Sequence, residues 1–91
     1  MKGDERMDNL EDETIELEER EIDLEMLRDD LVGELQAINQ YQDHVDSVAS
    51  EEARRVLEHI RDDEKEHVAE LVKLIQELDP TQAEKFKKEG L

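Results

Sequence analysis

Glu64 and His67 stand three residues apart on a stripe whose other members are apolar: Leu57, Ile60, Leu71, Leu74 and Leu78. On an α-helix that spacing puts a carboxylate and an imidazole on one face, one turn apart, where both can hold a single cation. An earlier stripe follows the same alternation of three and four residues through Leu24, Leu27, Leu31, Glu34, Ile38, Tyr41, Val45 and Val48, with Glu34 its only charged member. A carboxylate at a core position costs several kcal/mol unless something pairs with it. A bound metal ion is the most economical partner for all three residues.

Four-helix di-iron carboxylate sites take one Glu from each of two helices and a Glu-x-x-His pair from each of the other two. This chain carries half of that set. Two copies about a two-fold axis would supply four carboxylates and two imidazoles, and two divalent cations would cancel the four negative charges. The ligand set therefore predicts a homodimer. Oxygen-rich ligands with one imidazole per metal suit Fe(II) or Mn(II), with Zn(II) as an inert competitor. The expected roles are Glu64 bridging the metals, Glu34 binding one terminally and His67 closing each end. Tyr41, two turns beyond Glu34, has two roles open to it: hydrogen bonding to a ligating carboxylate, or packing with its hydroxyl at the rim. His59, Asp63 and Glu66 form a parallel stripe that reads either as an accessory cation site or as a solvated charged flank, and His44 falls on a flank facing solvent. Gly33, beside Glu34, reads equally as a point of close approach and as a tolerated surface glycine.

These residues need helices to position them, and the composition supplies little else. Aromatic residues make up 2 % of the 91 residues, so the core is built from Leu, Ile and Val. One domain of this size has a barely sufficient core and gains from a partner. The absence of cysteine rules out disulfides, thiolate metal sites and thiol catalysis. A net charge of −17 opposes nucleic acid and anionic lipid while concentrating cations. No apolar run approaches the roughly 20 residues of a membrane span, and no signal peptide is legible, so the expected location is cytoplasmic.

The expected architecture is all-α: a single half-bundle domain over residues 1–91, whose antiparallel two-helix hairpin with short terminal helices dimerises into a four-helix bundle. Residues 1–22 form an acidic segment with scattered apolar members (Met7, Leu10, Ile15, Leu17, Ile22), either disordered alone or a short helix docked on a neighbouring subunit. The hairpin occupies residues 23–79, with its first helix from about residue 22 to 49. Ser50 followed by Glu51 and Glu52 marks the start of the second helix, and Asp79-Pro80 stops it. A short third helix begins at Pro80 and runs to about Lys88 within the terminal segment 80–91.

The runs Glu34-Leu35-Gln36-Ala37-Ile38-Asn39-Gln40-Tyr41 and Arg61-Asp62-Asp63-Glu64-Lys65-Glu66-His67, in a chain with two long helices, resemble the encapsulated ferritins, the ferritin-like cargo of encapsulin nanocompartments. The similarity extends from about Leu27 to Pro80. It implies a ferroxidase centre of Glu34, Glu64 and His67 from both subunits with Tyr41 close by, and an annular decamer of five dimers. It also implies an encapsulin shell as partner, in which oxidised iron would be mineralised and stored. No shell-docking peptide is legible after Lys88, which is compatible with a fusion, a truncated chain or action outside a shell.

Two other readings compete. A rubrerythrin-like peroxidase would share the metal site, but the chain lacks the cysteines of a rubredoxin-type electron donor. A non-enzymatic helical oligomerisation module would use Glu34, Glu64 and His67 only as polar specificity devices in a coiled-coil-like seam.

Overall fold

A computed structural model describes the backbone of residues 2–91 and the side chains of residues 13–91. It contains three helices and no strands among the described residues: α1 (Lys2–Ser47), α2 (Glu51–Leu78) and α3 (Pro80–Lys88).

The first helix corrects one expectation. Rather than a separate acidic segment joined to a helix starting near residue 22, α1 is continuous for 46 residues. Local preference explains it: between residues 4 and 32 there is no Gly or Pro, and Glu, Leu, Arg and Met are strong helix formers. Acids near its N-terminus also favour the helix dipole. At about 1.5 Å per residue α1 is about 69 Å long, most of the molecule's 73 Å longest extent. The side chains of Met7 and Leu10 lie outside the described residues, while Ile15, Leu17 and Ile22 are about half exposed.

The second helix returns along the C-terminal half of the first. Arg54 donates to the Val48 carbonyl at 2.7 Å, Arg61 to the Gln42 side chain at 2.9 Å, and Arg28 to Asp79 at 3.0 Å. One partner's number rises as the other's falls, so the pair is antiparallel. α1 ends at Ser47, two residues earlier than expected, and residues 48–50 make the turn. Ser50 caps α2, its hydroxyl accepting the Ala53 N–H at 3.2 Å, and Glu51 and Glu52 occupy the first turn. Asp79 sits in extended geometry before Pro80, as a pre-proline residue must, and its carboxylate caps α3 by accepting the Gln82 N–H at 3.1 Å. That backbone donor above all holds the Asp79 carboxyl below its usual range; desolvation opposes it, and Arg28 adds a smaller lowering. The helix stops with Gly90 at φ 80°, where Leu91 N–H reaches the Phe86 carbonyl and Gly90 N–H that of Lys87.

The buried line is thin: Leu24 and Val45 on α1, and Ile75 on α2. Leu27, Leu31, Ile38, Leu57, Ile60, Val68 and Leu71 are half-buried beside them. Ile75 replaces Leu74 of the expected stripe. After Leu71 a step of three or of four stays near one face of a 3.6-residue helix, and the packing against α1 selects four. His67 and Leu74, seven residues apart, therefore share a neighbouring stripe that opens outward. None of the described helices is long and apolar enough to cross a membrane.

Candidate metal centre

Antiparallel packing brings the middle of α1 against the middle of α2, and with it Glu34 against Glu64 and His67. His67 Nδ1 lies 3.5 Å from Glu34 Oε2 and 3.5 Å from Glu64 Oε2. The potential ligand atoms of all three lie within 4.8 Å of one another, the one such group of three acidic or imidazole side chains among the described residues. Burial grades across it: side-chain exposure is 17 % for Glu64, 26 % for Glu34 and 48 % for His67. The cluster is thus sunk into the hairpin on its carboxylate side and open on its imidazole side.

Its charge is not balanced from within. Arg61 is engaged by Gln42 and Asp62, and Lys65 by Asp62. The Arg61 hydrogen bond, above all, holds the Asp62 carboxyl below its ordinary range. No Lys or Arg pairs with Glu34 or Glu64 among the described residues, and Glu34 Oε2 is shielded from solvent with no hydrogen-bond donor. A shielded carboxylate oxygen without a donor is costly. Two ligands each about 2.1 Å from one cation stand about 3.0 to 3.4 Å apart, so the 3.5 Å separations fit a shared ion closely. Two carboxylates and an imidazole suit a divalent cation of the first transition row.

The cluster forms one wall of an open groove of about 640 Å³ between the helices, completed by Asp29, Asp30, Gly33 and Ala37 of α1 and Glu70, Leu71 and Leu74 of α2. A Cβ at Gly33 would meet nothing within 4 Å, so this chain's own packing does not require glycine there. Asp30 and Glu70 were not singled out from the sequence. Their signal was present: Asp30 precedes Glu34 by four residues and Glu70 follows His67 by three, both same-face spacings.

The other candidates stand apart. Tyr41 is half-buried seven residues beyond Glu34, about 10 Å along the axis, and is not among the groove's lining residues. His59 pairs with Asp63 at 3.2 Å on the exposed flank. Glu66 does not complete a three-residue group with them, because seven residues separate it from His59, about 10 Å of rise. His59 and Asp63 are thus an exposed pair, with Glu66 exposed beside them. His44 is exposed, as its flank position implied.

Residues 6–89 match the EncFtn-like family. The Encapsulin nanocompartment cargo protein EncC of Myxococcus xanthus (strain DK1622) is 44 % identical over 57 residues, which cover 63 % of this chain and 44 % of that protein. The chain therefore spans less than half the length of this curated relative. No solved structure matches it.

Proposed function

The chain belongs to the EncFtn-like family, and from that membership and the Glu34–Glu64–His67 cluster we propose that it is a ferroxidase working on Fe(II) at a centre shared by two copies. The observation that carries this reading is the half ligand set on an open wall: two carboxylates and one imidazole converge, and the shielded Glu34 oxygen has no donor. A second hairpin laid into the groove about a two-fold axis would bring its own Glu34, Glu64 and His67 to the same place. Two Fe(II) would neutralise the four carboxylates, leaving the imidazoles as neutral donors.

The residues then divide the work. Glu64, the most shielded of the three, would be the ligand shared between the two irons. Glu34 and His67 hold each iron from opposite helices of the hairpin. Oxidation takes one electron from each of two Fe(II) and passes the pair, with two protons from water, to dioxygen to give hydrogen peroxide, or to hydrogen peroxide to give two waters. Carboxylates bind Fe(III) as well as Fe(II), so the same side chains hold the iron before and after the transfer. Asp30 and Glu70, at the groove wall, keep the approach anionic and attract cations. Mn(II) and Zn(II) fit the same donors and would compete.

The similarity to an encapsulin cargo protein supports a place inside an encapsulin nanocompartment in the cytoplasm, with the shell receiving the Fe(III) as mineral and the dimers assembled into a ring such as a decamer. The test is Fe(III) formation on exposing anaerobically loaded protein to air. Oxidation faster than that of free iron, abolished in His67→Ala and Glu64→Ala, is expected. Oxidation at the free-iron rate would leave an oligomerisation module with buried acids.

A further inference from the structure

Arg61 stands three residues before Glu64 on α2, a spacing at which a guanidinium and a carboxylate on one helix ordinarily pair. Here they do not. Arg61 Nη1 donates to Gln42 Oε1 at 2.9 Å and Nε donates to Asp62 Oδ1 at 3.1 Å, while Lys65, beside Glu64 in the chain, also turns to Asp62. Gln42 is set for this task by its own neighbour on α1: its Nε2 donates to Asp46 Oδ1 at 3.0 Å, so the amide presents its oxygen to Arg61. Side-chain exposure is only 19 % for Arg61 and 17 % for Glu64. A guanidinium shielded to that degree needs acceptors, and one deprived of Gln42 has the Glu64 carboxylate one turn away.

We infer that Gln42 keeps the metal centre open to cations: by accepting from Arg61 it holds the guanidinium off Glu64 and leaves that carboxylate to the metal. The inference rests on the reading of Glu34, Glu64 and His67 as a metal centre, and adds to it a residue outside the groove. Gln42 is a positioning residue that acts on Glu64 through Arg61. A neutral amide suits the role, because it satisfies the guanidinium without adding a charge, while the exposed Asp62 meets the positive charge away from the ligands. Without Gln42, Arg61 loses one of its two acceptors and Glu64 gains a competing cation. A guanidinium paired with a carboxylate occupies the oxygens that a divalent ion would bind, so the two exclude each other.

The test compares the full chain as wild type, Gln42→Met and Gln42→Met/Arg61→Gln. Met keeps the length and helix preference of Gln but has no amide oxygen. In anaerobic equilibrium dialysis against Fe(II), Gln42→Met should bind roughly tenfold more weakly than wild type. Adding Arg61→Gln should restore the affinity, because no guanidinium is left to compete; damage to the fold would not be repaired by removing a second polar contact. A metal-free readout accompanies it: a double-mutant cycle of Arg61→Gln and Glu64→Gln in denaturant unfolding should show coupling in the Gln42→Met background and none with Gln42 in place. Wild-type affinity in Gln42→Met, a double variant as weak as the single one, or a cycle without coupling in Gln42→Met would overturn the inference. Absence of saturable iron binding in wild type would overturn the metal-centre reading instead, and the metal-free cycle would still decide whether Gln42 holds Arg61 off Glu64.

Discussion

The two halves of α1 are one unbroken helix held by different means. Its C-terminal half lies against α2, buries Leu24 and Val45, and is tied at intervals by Arg28, Gln42 and Val48 to residues of the returning chain. Residues 13–23 bury no side chain fully, with Ile15, Leu17 and Ile22 half exposed. The contrast teaches that helical order and burial are separable here: propensity extends α1, but only packing fixes where chemistry can be placed. Glu34 lies in the packed half, and Glu64 and His67 lie on α2 opposite it.

Truncating each half should therefore give different results. Leu24→Ala removes a side chain that is 1 % exposed and should cost about 3 kcal/mol in denaturant unfolding. Ile15→Ala, in the unpacked half, should cost less than about 0.5 kcal/mol in dilute, unassembled protein. A similar loss at both sites would mean that the N-terminal half is already covered. Within the packed half, Glu34→Leu should raise metal-free stability by roughly 1 kcal/mol, because it removes a shielded carboxylate oxygen that has no donor. The same variant should no longer bind iron, as measured by equilibrium dialysis. Ser50→Ala should lower the unfolding free energy by about 1 kcal/mol through loss of the bond to the Ala53 N–H, leaving iron stoichiometry unchanged.

The smallest effect is set by pH at the far end of the hairpin. Folding lowers the Asp79 carboxyl below 3.8, so the unfolded chain takes up its proton first as pH falls. The charge thus contributes stability in full above that value, and the contribution fades as pH drops through the folded-state value. Wild type should melt higher than Asp79→Asn near neutrality, and the gap should close in acid below about pH 4. A gap that persists there would assign the effect to the capping geometry rather than to charge.

Much of the packed half was legible in the residues. Ser50 and Asp79-Pro80 declare the bounds of α2 and the start of α3 through capping and the pre-proline restriction, and both caps form. The three-and-four spacing singled out Glu34, Glu64 and His67, and the hairpin brings them together. The phase of the seam was less legible, because Leu74 and Ile75 serve a helical stripe equally well until a neighbouring helix chooses. The continuity of α1 escaped for a related reason. Apolar periodicity reports a buried face, and residues 13–23 form a helix without one. Asp30 and Glu70 were hidden among so many acids, since only the groove distinguishes them from the solvated remainder.

The shared centre is tested most directly by native mass spectrometry of the chain loaded anaerobically with Fe(II). A dimer carrying two irons, with one iron per chain in any larger assembly and none in His67→Ala, is the predicted result. Iron that saturates on single chains, or that adds without a limit and is indifferent to His67, would contradict it.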